Sequence, residues 1–100
     1  MSVRLPFNEV KEKYFRTLAQ YVPIVARVHG VSHPEFHEVR KYFDLIVLKT
    51  ADAGEGKPEL NEEFSKLREI TNNYTVPDDV CESYEAVYNI LSELDKAYYS

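Results

Sequence analysis

Four stretches of this sequence repeat apolar side chains at intervals of three and four residues, the spacing of one face of an α-helix. In the first stretch Val10, Tyr14, Leu18, Tyr21, Val25 and Val28 align into a single stripe. Asn8 is predicted to cap this helix, and Gly30 stands where a left-handed residue would end it. Pro23 falls on the opposite, wet face, where the lost hydrogen bond bends the helix without ending it. The second stretch opens on Ser32-His-Pro-Glu35, the pattern of a capping box, and buries Phe36, Val39, Phe43 and Ile46 before fading near Lys49.

Residues 50–57 contain Ala53-Gly-Glu-Gly56 and read as a mobile loop. A third helix is expected over residues 58–73, with Leu60, Phe64, Leu67 and Ile70 inward and Asn72-Asn73 as its break. Thr75-Val-Pro-Asp78 reads as a second capping box. The last helix then carries Val80, Tyr84, Val87, Tyr88, Leu91, Leu94 and Tyr98 on one face. Four amphipathic helices with mostly short connections predict an all-α, up-down four-helix bundle, a single domain over residues 1–100. Three glycines in one hundred residues argue against a turn-rich β alternative.

Charge and cysteine usage narrow the function classes. A net charge of −5, with Arg4, Lys11, Lys13 and Arg16 interrupted by acids, disfavours nucleic acid, whose phosphates require a concentrated basic surface. Cys81 is the sole cysteine, so no internal disulfide forms, and the chain suits a reducing cytoplasm. No secretory leader and no run of 18 apolar residues is present, so neither secretion nor membrane insertion is expected.

Metal-ligating residue types come first among the chemical candidates. His29, His33 and His37 are spaced by four, but Gly30 and the Ser32 cap divide them between two helices. His33 and His37 lie about 110° and 150° from the centre of their helix's apolar stripe, so both are expected to face water. His29 lies about 55° from the centre of its own stripe, which leaves two readings open. It is either a partly buried histidine bonded to a neighbour or a ligand aimed into the bundle. The acids Glu35, Glu38, Glu62, Glu63 and Glu82 read as a solvated face. Cys81 follows the core position Val80 and has no cation beside it in the sequence, which favours a buried, inert thiol. Tyr84, Tyr88 and Tyr98 follow core spacing, although a residual pocket lined by Tyr14, Tyr84 and Tyr88 would suit a small molecule. There is no glycine-rich phosphate loop and no supported Ser/His/Asp set, so no catalytic residue is assigned and the chain is read as a non-enzyme.

Two ordered motifs resemble one family. Tyr21-Val-Pro-Ile-Val-Ala-Arg-Val-His-Gly30, followed by Val31-Ser-His-Pro-Glu35, is similar to the VARVHG…HPE segment of the hemerythrin-like, di-iron proteins that repair iron–sulfur clusters, the ScdA and YtfE type. Leu67-Arg-Glu-Ile-Thr-Asn-Asn-Tyr74, with Pro77, Cys81, Tyr84 and Tyr88, resembles that family's T-N-N-Y-x-x-P-x-x-x-C-x-x-Y stretch. The resemblance implies a four-helix bundle and a role in repairing clusters damaged by nitric oxide or oxidants. It carries over only His29 among the family's iron ligands. The other histidines would fall near Asn8-Glu9, within a shortened region at residues 48–58, near Lys57, and beyond Tyr99-Ser100.

A di-iron centre in such a bundle draws on about six or seven ligands from several helices. The expectation is therefore a shortened relative that keeps the scaffold, holds no cofactor, and acts as a protein-interaction or regulatory module. It would self-associate or dock onto a full-length repair protein in the cytoplasm. The competing expectation is an iron-binding protein using His29, with His33 across the Gly30 turn, in a mononuclear or inter-subunit site. A third is that the chain is a piece of a longer protein that supplies the missing ligands.

Overall fold

Phe7 and Tyr98, ninety-one positions apart, meet ring edge to ring face with centroids 5.5 Å apart. At the opposite end, His29 Nε2 lies 3.2 Å from Cys81 Sγ. These two contacts fix the first and last helices as an antiparallel pair. In the computed structural model, which describes residues 7–54 and 56–99, the helices are α1 (Phe7–His29), α2 (Glu35–Ala53), α3 (Asn61–Ile70) and α4 (Glu82–Tyr98). No strand occurs among the described residues. α1 packs on both α4 and α2, and α2 packs on α3. Phe15 and Phe43 seal the α1–α2 seam at 5.9 Å. The result is the four-helix bundle that the spacing predicts.

The buried core contains Leu18 and Val22 from α1, Phe36, Val39 and Ile46 from α2, and Phe64 and Leu67 from α3. Leu60 just before α3 and Tyr84, Val87, Leu91 and Leu94 from α4 complete it. Each such side chain removed from water contributes about 1.5–3 kcal/mol. The expected stripes of α2 and α4 hold, except that Val80 precedes its helix and is half-buried. In α1 the buried face is rotated by about 50° from the expected one. Val22 and Ala26 are buried, Tyr21 is half-buried and Val28 is 62% exposed. The cause is that α1 sits between two neighbours, so its inward surface spans the directions of both α4 and α2.

Several predicted caps fall elsewhere. Asn8 lies inside α1. Gly30 does not have a positive φ; among the described glycines only Gly54 does, with φ 60° where it ends α2. Gly30 is required for close approach instead, because a Cβ there would run into the Ala26 carbonyl oxygen and the His37 ring. Ser32 does not cap α2, which begins at Glu35 after Pro34. Proline disfavours helical geometry in the residue before it, so a start at Ser32 is obstructed. The chain turns instead on His33 N–H to His29 C=O at 2.7 Å and Phe36 N–H to His33 C=O at 2.9 Å.

α2 runs to Ala53 rather than fading at Lys49, so the first half of the predicted loop is helical. α3 begins at Asn61, because residues just before it are tied to α4. Tyr98 donates its hydroxyl to the Pro58 carbonyl at 2.7 Å and accepts the Leu60 N–H at 2.9 Å. After Ile70, which is half-buried, the predicted break appears as three successive left-handed residues, Asn72, Asn73 and Tyr74. Thr75 does not open the last helix; its hydroxyl donates to the Asn72 carbonyl, and Cys81 occupies the N-cap of α4.

Candidate functional site

Antiparallel packing of α1 and α4 brings the C-terminal end of one against the N-terminal end of the other, and the polar residues of the sequence gather there. His29 closes α1, is half-buried, and directs Nε2 to Cys81 Sγ at 3.2 Å. This agrees with the reading of His29 as a histidine bonded to a neighbour. His33 does not face water as expected. It lies in the turn before α2 with its side chain only 14% exposed, Nδ1 at 3.1 Å from Glu35 Oε2 and Nε2 at 3.0 Å from Asp79 Oδ1. Both imidazoles set their edges against the Tyr84 ring, each with centroids 5.5 Å apart. His37 is exposed, as expected.

The structure thus brings His29 and His33 together around one ring but points their nitrogens at different partners. Cys81 reverses its expectation: the thiol is exposed and free, because Val80 precedes the helix and Cys81 lies at its very start. Neither the His29–Cys81 contact nor the His33–Asp79 contact has a signature in sequence spacing, since each joins residues about fifty positions apart.

Beneath the two histidines the interior is aromatic. Tyr84 packs on Phe36 and on Tyr88 with centroids 4.9 Å apart in both cases, and the two phenol oxygens are 3.0 Å from each other. Burial raises the pKa of both phenols, and the mutual hydrogen bond raises that of Tyr84 further. Tyr84 and Tyr88, two of the three rings that the sequence offered for a small-molecule pocket, thus pack against each other.

Two other polar groups lie apart from this end. Glu63 is 1% exposed, against the expectation of a solvated face, and its Oε2 lies 2.7 Å from Lys49 Nζ. That hydrogen bond is the main cause of a raised Lys49 pKa. Buried Asp95 accepts from Tyr74 Oη at 2.7 Å and from Arg68 Nε at 3.1 Å, both on Oδ2. Burial, and then the bond to Asp95, raises the Tyr74 pKa. Among the described residues no group of three or more His, Cys, Asp or Glu side chains is placed to share one metal ion. No described helix is long and apolar enough to cross a membrane.

An apolar groove of about 360 Å³ runs between α1 and α2, lined by Ala19, Pro23, Phe43, Asp44, Val47 and Leu48. Leu48 is 63% exposed at its margin.

Fold and site together define an all-α, four-helix bundle with a histidine–cysteine contact at one end. Among curated proteins the chain is similar to the iron-sulfur cluster repair protein ScdA of Staphylococcus haemolyticus (strain JCSC1435), with 23% identity over 121 residues. The match covers 90% of this chain and 54% of ScdA, so the chain spans about half the length of the relative it matches. No family model matches the sequence, and no solved structure matches it.

Proposed function

We propose that this chain is a shortened, hemerythrin-like relative of the iron–sulfur cluster repair proteins, a single domain that keeps the bundle, lacks a di-iron centre and acts by binding another protein. One observation carries the reading: the ionisable side chains are dispersed into separate pairs while the bundle interior is filled with rings and aliphatic groups. A di-iron centre needs carboxylates and imidazoles converging from several helices. Here His29 is committed to Cys81, His33 to Glu35 and Asp79, Glu63 to Lys49, and Asp95 to Tyr74 and Arg68. Phe36, Tyr84, Tyr88 and Leu91 are buried in the core. The residues present therefore do not fit the group that the relative's class implies.

The similarity to ScdA supports the kinship, and the aligned stretch is longer than this chain, so the relative has residues without a counterpart here. The groove beside Leu48 is the surface that best suits a partner helix, either from a second copy or from a full-length repair protein. Metal analysis tests the reading on untagged protein purified from iron-replete cells. The expected iron content is far below one ion per chain. Near-stoichiometric iron with an oxo-bridged absorption spectrum would overturn it. A single ion that disappears in His29→Ala would favour a mononuclear site at His29 in its place.

A further inference from the structure

The outer face of the α1–α4 pair carries an apolar strip that no described helix covers. Ile24 and Val28 are 49% and 62% exposed, and Val31, just beyond α1, is 94% exposed. By the 100° step, Ile24 and Val28 lie about 100° and 140° around α1 from Pro23, which faces α2 across the groove. On α4, Asp95 turns toward Arg68 of α3 and Tyr74 just after it. Ala86, Ile90 and Ala97 lie about 140–180° around α4 from Asp95 and are half-buried. Both strips therefore look out from one side of the pair, away from α2 and α3.

We propose that this face pairs with the same face of a second copy, about a two-fold axis parallel to the helices, to form a reversible dimer. Such an axis lays α1 antiparallel on α4 of the second copy and leaves every residue at its own height along the bundle. Two contacts within the chain set those heights, His29 beside Cys81 and Phe7 beside Tyr98. They bring Ile24 level with Ala86, Arg27 level with the first turn of α4 at Glu82, and Lys13 level with Glu93. Lys13, Arg27, Glu82 and Glu93 are all exposed, and none makes an ion pair with another described residue.

In the dimer Lys13 meets Glu93 of the second copy and Arg27 meets its Glu82, with the apolar strip between them. The other symmetric stacking, α1 on α1 and α4 on α4, sets cations over cations and acids over acids. Charge thus selects both the second copy and its orientation. Two helices each about 10 Å wide, over the 17 residues of α4, give a face of about 500 Å² per copy, or about 1,000 Å² in total. That lies at the lower limit of a specific interface, so the dimer forms and dissociates with concentration. The contact leaves the groove beside Leu48 open and does not depend on whether the chain binds iron.

Sedimentation velocity of the full chain, from low micromolar to millimolar concentration, tests the dimer. Wild type is expected to pass from one chain mass to two. Ile24→Glu, at a position wet enough in the monomer to accept a charge, is expected to weaken association roughly tenfold or more, while Leu48→Glu leaves it unchanged. Glu93→Lys is expected to weaken it as well, and Lys13→Glu/Glu93→Lys to restore it, because the swap rebuilds the pair across the interface. Circular dichroism checks that each variant keeps its helices. A chain that stays monomeric throughout, a dimer that tolerates Ile24→Glu, or one lost in Leu48→Glu overturns the proposal. So does a charge swap that associates no better than Glu93→Lys alone.

Discussion

Glu63 holds Lys49 Nζ at 2.7 Å through Oε2, while its buried Oε1 has no hydrogen-bond partner. A carboxylate in that position is compensated from one side only, by a lysine that is itself largely in water. Removing the cation and leaving the charge is therefore worse than removing both. Lys49→Met should lower the thermal midpoint most, and Glu63→Gln less. The double variant Lys49→Met/Glu63→Leu should melt at or above wild type. Thermal unfolding by circular dichroism gives the order, and a double variant below Lys49→Met would contradict it. The Lys49 pKa is raised in the fold, so its contribution is fully present below the ordinary lysine value and is lost as pH rises through the folded one.

Gly30 touches the end of α1 and the start of α2 at once. A methyl group there meets the Ala26 carbonyl oxygen, which cannot move without unwinding the last turn of α1, and the His37 ring, which can swing into solvent. Gly30→Ala should cost about 1–3 kcal/mol. Adding His37→Ala should recover part of that loss and not all of it. Urea midpoints at constant m-value measure both, and full recovery would show that the backbone contact is unimportant.

The helices were legible in the sequence because periodicity reports how much of each face is wet, and Phe36, Val39, Phe43 and Ile46 are buried as their spacing implies. What periodicity does not report is how many neighbours a helix has, which is why the α1 stripe came out rotated and Val28 is exposed. Caps failed for a different reason. Ser32 and Thr75 each begin a plausible box, but a proline follows within two residues and the hydrogen bonds go to turns instead. The site was the least legible part. Spacing places His29 toward the buried side of α1, whereas its partner Cys81 and the partner of His33, Asp79, meet them only through the antiparallel pairing of chain segments.

Asn72, Asn73 and Tyr74 all have φ between 52° and 61°, a region that costs a side-chain-bearing residue about 1–2 kcal/mol and asparagine less. Asn73 is exposed, with its backbone N–H on the Arg68 carbonyl at 2.8 Å. Asn73→Gly is expected to be neutral or stabilising by up to about 1 kcal/mol, and Asn73→Val destabilising by about the same or more. Chemical denaturation separates the two, and a stable valine variant would mean the turn readily adopts another conformation.

Tyr74 closes the same turn onto Asp95, and its behaviour at high pH gives a readout of the whole bundle. Its pKa is raised by burial and by the bond to Asp95, and those of Tyr84 and Tyr88 are raised chiefly by burial. A phenol whose folded pKa exceeds its unfolded value keeps its proton longer in the native state. The associated stability is present below the ordinary tyrosine value of about 10 and is lost as pH rises beyond it. Tyrosinate absorbance should therefore include a late stage, contributed by these three rings and developing only as helicity is lost. Tyr74→Phe removes the bond to Asp95 and should cost about 1–2 kcal/mol at neutral pH. It should also reduce the amplitude of the late stage by one tyrosine. If all the phenols of wild type titrate together while the helical signal is intact, the packed arrangement of Tyr84 on Tyr88 and of Tyr74 on Asp95 is wrong.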